Sequence, residues 1–108
     1  MEKEDSKESM TGQQLKPYKG AKVLWPLECS YDVLDNVIEK AMELLSDYDI
    51  DQDGLLMATK LKQFMEELYK KNWHVVIGRH FGCYSIHDQG CFIYFYIETV
   101  AFMIYKAG

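Results

Sequence analysis

Six consecutive residues, Phe92-Ile93-Tyr94-Phe95-Tyr96-Ile97, are apolar or aromatic without a break. A strand with one wet face alternates apolar and polar side chains, so a run like this needs cover on both faces. It is far shorter than the ~20 apolar residues of a membrane span, and no other stretch comes close. A chain of 108 residues has room for one small core. Its helices can cover one face of a sheet. The other face calls for a second copy of the chain, which implies a homodimer.

The rest of the chain supplies those helices and further strands. Val33, Leu34, Val37, Ile38, Ala41, Met42, Leu45 and Tyr48 recur at spacings of three and four, the pattern of an amphipathic helix. Ser30 is placed to cap it, with Asp32 near its positive end. Met57, Leu61, Phe64, Met65 and Leu68 mark a second helix, with Lys70 and Lys71 at its C-terminal end. From Trp73 the texture becomes β-rich. Trp73–Arg79, Phe81–His87, Cys91–Ile97 and Thr99–Tyr105 read as four strands with tight connections, hence largely antiparallel. Val23-Leu24-Trp25 before Pro26 adds a candidate edge strand. The expected fold is α+β: two N-terminal helices on an antiparallel sheet. Almost nothing apolar precedes Val23, so residues 1–20 read as a flexible tail and residues 21–108 as the domain.

Charge narrows the function classes. The formal net charge is −5. That disfavours nucleic acid and anionic membrane, both of which need a basic surface. The start Met1-Glu2-Lys3-Glu4-Asp5 is too polar for a signal peptide. Cys29, Cys83 and Cys91 are odd in number and scattered, which gives no disulfide framework and fits a reducing cytosol.

Several residue groups have the types that carry chemistry. Asp49-Ile-Asp-Gln-Asp-Gly54 resembles the first half of an EF-hand loop, with acids at positions 1, 3 and 5 and glycine at 6. Leu56 suits position 8, but Lys60 stands where the bidentate glutamate belongs. The competing reading is an acidic turn with an aspartate capping the second helix. His80, Cys83, His87 and Cys91 have zinc-ligand types at a spacing no common finger uses, so no metal site is expected. A thiol nucleophile lacks a helix N-terminus and an oxyanion donor, and Gly78-Arg-His-Phe-Gly82 lacks the strand-to-helix setting of a phosphate cradle. No catalytic residue and no cofactor are expected. His74, flanked by Trp73 and Val75, reads either as a half-buried strand histidine or as a pH-sensitive interface residue, since charging an imidazole in an apolar seam is costly.

Trp73-His-x-x-x-Gly-Arg-x-Phe-Gly82, then Tyr84, His87, Phe92-Ile-Tyr-Phe-Tyr96 and the terminal Lys-x-Gly together resemble the small light chain of cytoplasmic dynein. The likeness extends, less sharply, back through both helices to about Val23. It implies a strand-exchanged homodimer in which Phe81–His87 crosses to the partner's sheet. It implies no catalysis. The family binds short extended segments of other proteins, often bearing Thr-Gln-Thr, in two grooves at the dimer interface. Such binding is strand addition, in which main-chain pairing gives affinity and alternate side chains enter pockets. Carried over, the groove uses Phe81, Gly82, Cys83, Tyr84, Ser85, Ile86 and His87, lined by Phe92, Tyr94, Tyr96 and Ala101. The start of the second helix, near Asp53, receives the client glutamine. The dimer interface involves His74, Phe81, Cys83, Ser85 and His87. Implied partners are a second copy, the dynein intermediate chain and other disordered segments. The implied location is the cytoplasm, on the microtubule cytoskeleton.

The groove strand departs from the family. Its usual Asn-Phe-Gly-Ser-Tyr-Val-Thr-His is here His80-Phe-Gly-Cys-Tyr-Ser-Ile-His87. Cys83 and Ile86 replace hydroxyl-bearing residues, and Ala107 replaces a serine near the end. The alternative to the hub reading is a divergent light-chain-like protein with an altered client set or a weakly calcium-responsive acidic loop.

Overall fold

The computed structural model describes residues 14–70, 72–79 and 91–106. Helix α1 spans Tyr31–Asp47. It starts where the periodicity and the capping residue place it: Ser30 is extended, and its hydroxyl accepts from the Val33 N–H at 3.3 Å. The stripe Leu34, Val37, Ile38, Ala41 and Leu44 is buried. Helix α2 spans Ile50–Tyr69 and buries Met57, Leu61 and Met65. Leu68, expected in that stripe, is exposed. Fully burying one such side chain contributes about 1.5–3 kcal/mol, so these stripes hold both helices on the sheet. A hydrogen bond from Asn36 Nδ2 to the Tyr69 hydroxyl (2.7 Å) ties the helices together.

Among the described residues the sheet has five strands: β1 (Gln14–Tyr18), β2 (Ala21–Trp25), β3 (Trp73–Gly78), β4 (Phe92–Ile97) and β5 (Val100–Lys106). Their spatial order is β1-β2-β4-β5-β3, and every neighbouring pair is antiparallel. The inward residues Val23, Trp73, Ile93, Phe95, Phe102 and Ile104 join the helix stripes in one core, with Phe95 and Phe102 stacked at 5.0 Å. The second strand expected from the pattern, Phe81–His87, lies outside the described residues.

Two expectations are corrected at the N-terminal side. The tail was expected to run to residue 20, yet Gln14–Tyr18 pairs along its whole length with β2. The cause is the two-residue turn Lys19-Gly20, both at positive φ (50° and 84°), the conformation a tight hairpin demands. Glycine is needed there twice over, because a Cβ on Gly20 would lie 2.8 Å from Met42 Cε. In consequence β2 is an interior strand, between β1 and β4, and the edge is β1. Pro17 sits there, where its missing N–H is tolerated.

A third correction concerns the cysteines. Cys29 and Cys91, 62 residues apart, are joined by a disulfide with their Cα atoms 4.7 Å apart. The segment before α1 folds back against the head of β4, where the Phe92 N–H donates to the Glu28 carbonyl at 3.1 Å. That crossing brings the two thiols together, and spacing along the chain could not reveal it.

Candidate functional site

Strand alternation decides what faces away from the helices. The registers place His74, Tyr105 and Phe92 in one cross-strand row. Val76, Met103 and Tyr94 form the next, and Gly78, Ala101 and Tyr96 the third. The outer face of three adjacent strands is therefore aromatic and aliphatic, with the His74 imidazole and three tyrosine hydroxyls as its polar groups. His74 stacks on Tyr105 with ring centroids 5.1 Å apart and planes at 22°. The Tyr94 hydroxyl donates to that of Tyr96 at 3.2 Å. Tyr94 and Ala101 are buried, Phe92, Tyr96, Met103 and Tyr105 half-buried, and His74 and Val76 exposed. The inward residues of Phe92–Ile97 enter the core, and its outward ones form the rows of the outer face.

Four of the predicted groove residues, Phe92, Tyr94, Tyr96 and Ala101, thus share one face, and the predicted interface residue His74 lies on it too. The others, Phe81, Gly82, Cys83, Tyr84, Ser85, Ile86 and His87, lie outside the described residues. Strand β3 borders the face and pairs with β5 alone among the described strands.

Arg79 closes the end of β3. Its Nε and Nη2 donate to the two carboxylate oxygens of Asp51 at 3.0 and 3.2 Å. Its Nη1 donates to Thr99 Oγ1 at 2.7 Å. The hydrogen bonds from Arg79, and then its charge, hold the Asp51 carboxyl below its ordinary range, and Asp51 in turn raises the guanidinium. Both side chains are solvent-exposed, so the pair adds little stability. Its effect is positional: the last described residue of this segment is fixed to the first turn of α2 and to the β4–β5 turn. Arg79, the one arginine of the chain, belongs to the Gly-Arg motif of the resemblance, but the sequence assigns it no partner. At the other end, Lys62 and Glu66 of α2 clamp Trp73: Lys62 Nζ donates to its carbonyl at 3.1 Å and its N–H donates to Glu66 Oε2 at 3.3 Å.

The start of α2, expected to receive a client side chain, bends at Asp53 (φ −112°, ψ 16°). Just beyond it, Leu55 is 83% exposed and Leu56 43%. A cleft of about 410 Å³ opens on the other side of Arg79, lined by Leu45, Tyr48, Ile50, Ile97 and Val100 among others. None of the predicted groove residues among the described residues lines it.

The acidic loop takes the turn geometry. Asp49 caps α2, its Oδ1 accepting from the Asp51 N–H at 3.1 Å. Asp53 Oδ2 accepts from the Asp49 N–H at 3.0 Å, and Asp51 is held by Arg79. Asp51, Asp53, Gly54, Leu56 and Lys60 all fall within α2, so the EF-hand-like spacing lies on helical turns and its three carboxylates point to three different partners. Of the four residues with zinc-ligand types, Cys91 is bonded to Cys29, and His80, Cys83 and His87 lie outside the described residues.

Comparison with known proteins bears on the family and the fold. A family model described as dynein light chain type 1 matches residues 21–107, leaving β1 outside it. The cytoplasmic dynein light chain 1 of Debaryomyces hansenii is 44% identical over 72 residues, which is 67% of this chain and 76% of that relative. A dynein light chain of Schistosoma mansoni is 32% identical over 81 residues, 75% of this chain and 88% of the relative. Among solved structures, the dynein light chain-like domain of a Fasciola hepatica calcium binding protein superposes with a TM-score of 0.74. That match covers 85% of this chain and 96% of the other at 18% identity, a likeness that shows the fold.

Proposed function

The chain belongs to the dynein light chain family, and from that premise we propose that it is a non-catalytic, dimeric hub that holds extended segments of partner proteins by strand addition. The observation that carries the proposal is the apolar outer face of β4, β5 and β3, three rows deep, beside a strand with one unpaired side among the described strands. Such a face is stable when a second copy covers it. Residues 81–87 of one protomer would lie against the partner's β3, and the client would add to that strand beside Phe92, Tyr94, Tyr96 and Ala101. The partner class follows from the family: the dynein intermediate chain and other disordered segments bearing Thr-Gln-Thr-like motifs, in the cytoplasm and on the microtubule cytoskeleton. Two grooves per dimer would grip paired clients through effective concentration, so weak single contacts suffice.

The side chains at 83 and 86 shift the preference. Cysteine and isoleucine cannot supply the hydroxyls found at these positions in the family, so clients with more apolar side chains should gain relative to threonine-rich ones. Isothermal titration with a ten-residue peptide centred on Thr-Gln-Thr tests the hub reading. Saturable binding of one peptide per chain supports it. Absence of binding to this peptide and to a library of extended peptides would overturn it. His74 supplies a separate check: it stacks on Tyr105 in the seam, so His74→Lys, which puts a fixed charge there, should weaken the dimer in equilibrium sedimentation.

A further inference from the structure

On the helix side of the β1–β2 hairpin three aromatic rings meet. Tyr18 ends β1, Trp25 ends β2 and Tyr31 opens α1. Each pair of ring centroids is 6.0 Å apart. Tyr18 and Trp25 stand edge to face at 81°, and Tyr31 is tilted 42–43° from both, so the rings form an open corner instead of a stack. The Tyr18 hydroxyl donates to Asp35 Oδ1 at 2.7 Å, which sets a carboxylate beside the corner. Tyr31 is 57% exposed, and the other two rings are half-buried.

Aromatic faces attract cations, and a cation over such a triangle lies within about 6 Å of all three centroids, the range in which that attraction is felt. The surroundings favour the same sign. Asp32 and Asp35 stand in the first turns of α1, next to Tyr31. Lys16 and Lys19 make the hairpin side unfavourable to a cation, so the charge is drawn toward α1. Tyr18 lies outside the segment that the family model matches, whereas Trp25 and Tyr31 lie within it.

We propose that this corner docks an arginine side chain from a basic segment of a partner protein. A guanidinium fits both elements at once: its plane stacks on one ring, the exposed Tyr31, and its N–H groups reach toward the Asp35 carboxylate. The chain's own Arg79 is held by Asp51 and Thr99, so the arginine comes from another molecule. The open corner would leave a free small cation largely wet, whereas a side chain carried on a polypeptide is held by its neighbours as well.

The test is an NMR titration of the full ¹⁵N-labelled chain with acetyl-Gly-Arg-Gly-Arg-Gly-amide, its citrulline counterpart, and choline. Saturable shifts of the Trp25 indole, at least about tenfold weaker with citrulline, support the site. Tyr31→Ala, or Tyr31→Leu if the alanine variant fails to keep the Trp73 resonance in place, should weaken them at least about tenfold, and Asp35→Asn should weaken them as well. Equal shifts with citrulline, shifts unchanged in both Tyr31 variants, the whole effect reproduced by choline, or no shift at millimolar peptide would each overturn the proposal.

Discussion

The two edges of the sheet are built on opposite principles. β1 ends one side with Gln14, Lys16 and Pro17, all exposed, and a lysine in the turn that follows. Lysine and proline are the residues that keep a sheet edge from recruiting another strand. Among the described strands β3 ends the other side with Trp73-His-Val-Val-Ile-Gly78, which has neither. An edge of that kind persists when something pairs with it. The contrast teaches that this sheet is closed on the side its N-terminal hairpin adds and left receptive on the side that the family reading assigns to partner and client.

The largest expected effect comes from charging the receptive side. Val76→Asp puts a carboxylate into the central row of the outer face and should weaken self-association at least about a hundredfold, ~3 kcal/mol. Leu15→Asp on β1 should leave it unchanged. Analytical ultracentrifugation of both variants decides, and equal behaviour would dissolve the contrast.

A smaller effect is expected at the hairpin. Gly20→Val must hold a branched side chain at φ 84° against Met42 and should cost about 1–3 kcal/mol in thermal or urea unfolding. Self-association should survive, because β1 and β3 lie at opposite ends of the sheet.

The smallest effects are titrations at the two ends. The hydrogen bond to Asp35 first, then burial and the Asp35 charge, push the Tyr18 hydroxyl up to about 12. A raised tyrosine pKa favours the folded state below the ordinary value near 10, and the advantage fades as pH rises through 12. Ultraviolet titration should show Tyr18 ionising late, and Asp35→Asn should bring it back toward 10. At the β3 end the sign is reversed. Asp51 is held low by Arg79, so its contribution is present above the ordinary carboxylate range and is lost as pH falls through its own lower midpoint. Carbon-detected NMR should find that midpoint low in the native chain and normal in Arg79→Gln.

The helices and the three described C-terminal strands were legible because each announces itself locally. Ser30 caps a run of apolar residues at helical spacing, and the unbroken aromatic and β-branched run Phe92–Ile97 marks a strand. Even the grouping of Phe92, Tyr94 and Tyr96 follows from the twofold repeat of a strand. The hairpin was missed because Gln14–Tyr18 is short and mixed, with Gln and Lys between Leu, Pro and Tyr, and carries no clear burial signal. What specifies it is a two-residue turn with glycine second, and tertiary contact with α1 through Tyr18 and Met42. The cysteine pair was missed for a deeper reason: a contact spanning 62 residues depends on topology, which local pattern does not contain. Arg79 was visible as a residue, but its role needed the position of Asp51 on a different element.

The place of Gln14 in this order also has a practical reading. The chain enters its sheet four strands away from β3, a separation of about 19 Å at ordinary strand spacing. A fluorophore, affinity handle or fused domain attached upstream of Gln14 is thereby delivered to the guarded rim of the sheet. Surface immobilisation through that end should orient every molecule alike, with its receptive rim directed toward the solution being sampled.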